Sequence, residues 1–233
     1  MSAFRGTIPA AVLMVFLCFP LAAFAGPSIT IGGESIVFPD LQGYHVHLPN
    51  TSQLFAKVKD CISTCGSVDN VLAVYLPEAY DGDRKIENCL EIDMILVKNG
   101  GLAIPQEADK AAFIDHTLAD FTSGKAKNNL SAGFVACTNL LSARSGGIFK
   151  PRSVEIVDVA RGDNYAILIT KTQIDKSTDG EWKLHTSYDA LAQVIIKGRL
   201  LFIDCSDTTK QVSPAIAKKV ALNIINVLNA ANK

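Results

Sequence analysis

The chain has 233 residues, of which 48% are hydrophobic and 19% are charged, and its formal net charge is −1 at pH 7. This length and composition are typical of a folded domain of ordinary size. The near-neutral charge argues against binding to nucleic acid or to an anionic membrane surface. We therefore expect no nucleic-acid partner, and we expect the partner to be a protein or a small-molecule ligand that the sequence does not identify.

The first 25 residues have the pattern of a secretory signal peptide. Arg5 is their only charged residue, an apolar run covers residues 8–19, and an A-x-A cleavage site ends at Ala25. The run is shorter than the ~20 apolar residues of a membrane span, and no later segment approaches that length. We expect no transmembrane segment, cleavage after Ala25, a periplasmic or secreted location, and a single domain over residues 26–233.

Short strands are predicted at the start of the mature chain. Residues 29–31 and 36–38 flank a Gly32-Gly33 turn, which is typical of a hairpin. Residues 44–48 alternate again, and this alternation places His45 and His47 on the same face of a strand.

A helix and two strands are predicted next. Capping residues at positions 50–52 precede apolar residues at helical spacing, among them Cys61 and Cys65. Residues 71–76 are almost wholly apolar and indicate a central strand. Residues 90–97 indicate a second strand, and we expect Gly100-Gly101 to end this unit.

Two further helices are predicted in the middle of the chain. Pro105 is expected to open the first, and Gly124 is expected to end it. Asn129 is a candidate cap for the second, whose apolar stripe is interrupted by Gly133.

The last third of the chain has four strand patterns and a helix. The strands cover residues 154–160, 165–174, 182–196 and 200–203, and Lys197-Gly198 between the last two indicates a tight hairpin. Ser213-Pro214 is a typical helix start. Because strands and helices do not alternate regularly, we predict an α+β fold with a mostly antiparallel sheet flanked by helices on both faces.

This layout resembles the PsbP-like group of α/β/α sandwich proteins. The resemblance rests on Asn70–Pro77 (NVLAVYLP), the hairpin Lys197–Phe202 (KGRLLF) and the closing Asn229–Asn232 (NAAN). It covers most of the mature chain and implies an extended segment, a helix, a hairpin, a meander and a long C-terminal helix. Members of the group include photosynthetic accessory proteins and nuclear-transport factors, so the resemblance implies a binding or accessory role. It implies no functional residue.

His45 and His47 form the clearest candidate metal site. Two imidazoles on one strand face lie about 6–7 Å apart along the backbone, within reach of one zinc ion. A third ligand is still required, and His116 and His185 are the remaining histidines. The alternative is a solvated or hydrogen-bonded pair. We predict no cofactor from the sequence, and zinc is the metal that this pair would hold.

Five cysteines remain after the signal peptide, so at least one has no partner within the chain. Cys61 and Cys65 are the disulfide candidates because they share a helix face in an exported protein. Regular helical geometry directs their Cβ atoms poorly for a bridge, so two buried thiols are the alternative.

No sequence motif assigns a reaction to this chain. A nucleophile elbow, a phosphate-binding loop and a dinucleotide fingerprint are all missing. The sequence does not decide whether the protein is an enzyme, and it favours a non-enzymatic binding or accessory protein. The alternative is a metal-binding protein or metal-assisted hydrolase that uses His45 and His47.

Overall fold

The computed structural model describes residues 26–49, 52–63, 70–78, 80, 93–104, 106–145, 148–178, 180–207 and 213–233. Side chains are described for these residues except at 61, 108, 141, 144, 145, 178 and 207. The signal-peptide prediction, residues 1–25, lies outside these ranges. Within them, no helix combines the length and apolar character that crossing a membrane requires.

Nine strands and four helices make up the described part of the chain. The strands are β1 (Ser28–Ile31), β2 (Glu34–Val37), β3 (Tyr44–His47), β4 (Val71–Pro77), β5 (Met94–Ala103), β6 (Ile148–Arg161), β7 (Tyr165–Thr178), β8 (Glu181–Ile196) and β9 (Arg199–Asp207). The helices are α1 (Gln53–Ile62), α2 (Glu107–Thr122), α3 (Gly124–Ser145) and α4 (Pro214–Ala231).

The strands form one large antiparallel sheet and one separate hairpin. The large sheet has seven strands in the order β3-β4-β5-β9-β8-β7-β6, and β1 pairs with β2 alone. Every strand pair is antiparallel. The α+β fold class and the four-strand meander predicted from the sequence are therefore confirmed.

Helices cover both faces of the large sheet. On one face, α4 packs with the β1–β2 hairpin onto a core that includes Ile36, Ile167 and Ile224. On the other face, α1 packs on β4 and β5, while α2 and α3 pack on β6, β7 and β8. Central strands buried from both sides need apolar residues at odd and even positions, and residues 71–76 have this character.

Two turn predictions are confirmed in detail. Lys197 and Gly198 both have positive φ, 46° and 69°, as the tight β8–β9 turn requires. Ser213 is the N-cap of α4, since its side chain accepts a hydrogen bond from the amide of Ile216, and Pro214 opens the helix.

β6 begins at Ile148 and not at residue 154, and two further element boundaries predicted from the sequence are wrong. β5 does not end at Gly100-Gly101 but continues to Ala103 through an irregularity in its pairing with β9. A side chain at position 100 would collide with Leu200, because a Cβ atom there would lie 2.6 Å from its Cγ atom. Gly100 thus allows a close approach of two strands rather than ending one.

The other wrong boundary is the start of α3. This helix begins at Gly124 and not at Asn129, because Ser123 interrupts the helical backbone with a ψ of 149°. The hydroxyl of Ser123 then accepts a hydrogen bond from the amide of Ala126, at 3.2 Å. A serine cap thus starts the new helix at Ser123, more than one turn before the predicted cap at Asn129.

Candidate functional site

A cleft of about 620 Å³ lies between the large sheet and α3, and we call it the α3 cleft. The sheet provides its floor, and helices α2 and α3 provide its roof together with the end of α1. Its lining comes from β5, β6, β7, β8, β9, α1, α2 and α3. Ligand sites in proteins typically measure about 300–1,000 Å³, so the α3 cleft has room for a small molecule.

The floor consists of neighbouring residues on adjacent strands. The pairing of β5, β9, β8 and β7 aligns one row of four residues, which are Leu96, Asp204, Leu191 and Leu168. The next row in the same direction contains Met94, Ser206, Asp189 and Thr170. Alternation along each strand points both rows to the face opposite α4. A polar strip therefore runs through a mainly apolar floor.

The roof of the α3 cleft follows the helical period. Six residues of α3, which recur at the helical period, face the floor, and they are Ala126, Asn129 with Leu130, Gly133 with Phe134, and Cys137. Phe121 of α2 and Ile62 of α1 close the two ends. Most of these side chains are apolar, so the roof offers a hydrophobic surface to a ligand.

Asp189 is held by hydroxyl groups on the neighbouring strands. Ser206 donates a hydrogen bond to Oδ1 of Asp189 at 2.9 Å, and Thr172 donates to Oδ2 at 3.5 Å. Thr172 also shares a hydrogen bond of 2.5 Å with Ser187. This network fixes the orientation of the carboxylate in the floor.

Asp204 has a different environment. Among the described residues its nearest charged partner is Lys98, whose Nζ atom lies 3.8 Å from Oδ2, beyond hydrogen-bond distance. Burial raises the pKa of the Asp204 carboxyl, and the charge of Lys98 opposes this effect. The side chain nevertheless keeps 34% of its surface accessible, so a molecule in the cleft would meet this carboxylate directly.

The predicted histidine pair lies on β3, an edge strand. His45 and His47 stand opposite Leu76 and Val74 of β4, on the same face of the sheet as α1. His47 shares a hydrogen bond of 2.9 Å with the hydroxyl of Ser52, which also accepts from the first amides of α1. Burial and the neighbouring His45 lower the pKa of His47, while Asp40 partly offsets them.

The other two histidines do not join this pair. His116 is on α2 and lies 3.5 Å from Asp120, and His185 is on β8 opposite Ile174. Asp40 is the acidic residue near the pair, with Oδ1 at 3.9 Å from Nδ1 of His45. Within the ranges that the structure describes, no three His, Cys, Asp or Glu side chains are grouped in a way that could hold a metal ion. The metal site remains a prediction.

The cysteines divide between the two faces of the sheet. Cys205 is a free cysteine, buried on the α4 face, where burial and the carboxylates of Asp204 and Asp189 raise the pKa of its thiol. Cys137 lines the α3 cleft. The predicted disulfide candidates, the Cys61 side chain and Cys65, lie outside the described residues, so their pairing also remains a prediction.

Sequence reasoning missed the α3 cleft. The sequence signal was present, because Asp189 and Asp204 are acidic residues within the mostly apolar stretches 188–192 and 200–205. Charged residues at such positions are rarely buried unless they have partners or a function.

The comparisons with known proteins concern the fold. No family model matches the chain, and no curated protein matches it. Among solved structures the chain is similar to the solution structure of cyanobacterial PsbP (CyanoP) from Synechocystis sp. PCC 6803. The two chains are 12% identical, the match covers 83% of each, and the TM-score is 0.33. The PsbP-like resemblance is thus present, as a weak one.

Proposed function

We propose that this chain is an exported binding or accessory protein whose α3 cleft takes a small, largely apolar molecule. The cleft carries the proposal, since about 620 Å³ of space lies between an apolar helix face and the centre of the sheet. Burial of apolar ligand surface there would supply the binding energy, at ~25 cal/mol per Å².

Gly133 supports the proposal. It lies in the middle of α3, where a glycine costs about 0.5–1 kcal/mol relative to alanine. A Cβ atom at this position would meet nothing within 4 Å, so packing does not demand glycine. Its absent side chain leaves the space of the cleft open beneath the roof.

Filling this space tests the proposal. The probe is N-phenyl-1-naphthylamine, a neutral dye whose fluorescence rises in apolar surroundings. We expect the purified protein to bind the dye and the Gly133→Leu variant to bind it about tenfold more weakly, a loss of ~1.4 kcal/mol. Ala132→Leu is the matched control, because Ala132 is exposed and does not line the cleft. Equal dye binding by both variants, or none by the unmodified protein, would refute the proposal.

The second candidate function is metal binding at His45 and His47. It rests on the two imidazoles that β3 places on one face of the sheet, and water would have to supply the remaining ligands. Calorimetric titration with zinc and elemental analysis of protein purified without chelator test it. We expect one zinc ion per chain and its loss in the His45→Ala variant. His116→Ala is the control, because His116 is on another element and pairs with Asp120.

Export and a disulfide complete the proposal. Cys137 and Ile62, the residue that follows Cys61, line the same cleft. We propose that Cys137 bonds to Cys61 or Cys65 after export, as an alternative to the Cys61–Cys65 bridge. The intact mass of protein recovered outside the cytoplasm should match a chain that begins at Gly26. A non-reduced peptide map should join a peptide containing Cys137 to one containing Cys61 and Cys65.

A further inference from the structure

We infer that the α3 cleft selects a cationic amphiphile, a protonated primary amine on an apolar body, over a carboxylate with the same body. This inference rests on the proposed function, because it concerns which ligand the same cleft prefers. Its basis is the pair of carboxylates in the floor, Asp189 on β8 and Asp204 on β9.

The two carboxylates are close enough to act on one head group. Asp189 pairs with Ser206 and Leu191 pairs with Asp204, so the two aspartates are diagonal neighbours on adjacent strands. Such neighbours have Cα atoms about 7–8 Å apart and side chains on the same face. A single ammonium group between them would lie within a few ångströms of both.

The described lining of the cleft contains no lysine, arginine or histidine. Of the described residues, Lys98 is the positive group that pairs with Asp204, and its 3.8 Å separation is a weak charge contact rather than a hydrogen bond. None of the described residues donates a hydrogen bond to the Asp204 carboxylate. An ammonium group would supply those donors, and hydrogen bonds between charged groups are about twice as strong as neutral ones.

A carboxylate ligand would meet the opposite situation. It would bring another negative charge next to two carboxylates in surroundings that screen charge less than water does. Discrimination of this kind works by repulsion of the wrong ligand as much as by attraction of the right one. The raised pKa of Asp204 has the same physical basis, since burial already disfavours its charge.

Displacement of the bound dye by three ligands with the same chain tests the inference. Decylamine, decanol and decanoate are added to the processed protein at pH 7, below their micelle concentrations. We expect decylamine to displace the dye at concentrations at least about tenfold lower than the other two, which corresponds to ~1.4 kcal/mol. Asp204→Asn and Asp189→Asn should each reduce this preference, measured as the ratio of the decylamine and decanoate concentrations that displace half of the dye.

Glu155→Gln is the matched control, because Glu155 is an exposed carboxylate on β6 that does not line the cleft. It should leave the preference unchanged. Equal displacement by decylamine and decanoate, or a preference that persists in both aspartate variants, would overturn the inference while dye binding still supports the proposed function. Absence of dye binding in the unmodified protein would overturn both.

Discussion

At the scale of single residues, Gly133 lowers the stability of α3 and leaves room in the α3 cleft. We expect Gly133→Ala to raise the free energy of unfolding by about 0.5–1 kcal/mol, because alanine restricts the unfolded chain and favours the helix. The added methyl group meets no atom within 4 Å. Urea denaturation followed by far-ultraviolet circular dichroism measures the change. A loss of stability would mean that α3 needs the flexibility of glycine there.

Tyr75 carries a hydroxyl group whose removal should raise the stability of the protein or leave it unchanged. Its side chain is fully buried, and its hydroxyl has no hydrogen-bond partner among the residues that the structure describes. Burial, with a contribution from Asp40, raises the pKa of Tyr75 far above its ordinary value, so the hydroxyl stays neutral. A buried hydroxyl without a partner costs about 1–3 kcal/mol.

We therefore expect Tyr75→Phe to leave stability unchanged or to raise it by about 1 kcal/mol, as measured by urea denaturation. Tyr188→Phe, at a partly buried position beside the same core, is the control. A destabilisation of the Tyr75 variant alone would show that the hydroxyl has a bound water as partner.

At the scale of elements, Asn232 connects α4 to the small hairpin. Its side chain is 6% exposed, accepts a hydrogen bond from the amide of Val37 at 2.8 Å and donates one to the carbonyl of the same residue at 2.9 Å. A second donation reaches the carbonyl of Leu228 in α4. The hydrogen bonds of this one side chain thus take the place of a neighbouring strand at the outer edge of β2.

We expect Asn232→Ala to lower the free energy of unfolding by about 2 kcal/mol, because it leaves two partly buried backbone groups of Val37 without these partners. Thermal unfolding monitored by circular dichroism tests this. Asn226→Ala, at an exposed position of α4, should have no such effect. Similar losses in the two variants would mean that the contact with Val37 contributes little.

The elements show how far the sequence predicts this fold. Local chemistry predicts the Lys197-Gly198 turn and the Ser213-Pro214 helix start, because a few adjacent residues determine each. The Gly100-Gly101 and Asn129 predictions fail because a tertiary contact with Leu200 and the cap at Ser123 override local preference. The α3 cleft is harder to predict than either of these boundaries, since Asp189 and Asp204 become neighbours only through the register of β8 and β9.

At the scale of the whole molecule, one core cluster joins the β1–β2 hairpin, the large sheet and α4. The prediction of a single domain over residues 26–233 agrees with this continuity and stays a prediction. If it holds, unfolding is a single transition whose dependence on pH reports the buried titratable groups together. Two of these groups, His47 and Asp204, should act in opposite directions.

The folded-state pKa of His47 is lowered, so the unfolded chain takes up the proton first as the pH falls through about 6.5. His47 therefore removes stability between about pH 7 and pH 5. The folded-state pKa of Asp204 is raised above its unfolded value of about 3.9, so the folded protein takes up this proton first. The charge of Asp204 destabilises the protein at neutral pH, and its protonation on acidification relieves this cost.

Urea midpoints at pH 7, 5 and 4 distinguish the two groups. We expect His47→Gln to reduce the loss of stability from pH 7 to pH 5. We expect Asp204→Asn to be more stable than the unmodified protein at pH 7, with a difference that shrinks on acidification towards pH 4, because the natural carboxyl loses its charge as it takes up a proton. The Asp204 prediction fails if its variant is less stable at pH 7, since Lys98 would then compensate fully for the buried charge. In that case the carboxylate in the floor of the α3 cleft would already be satisfied by Lys98, and an ammonium ligand would gain little from it.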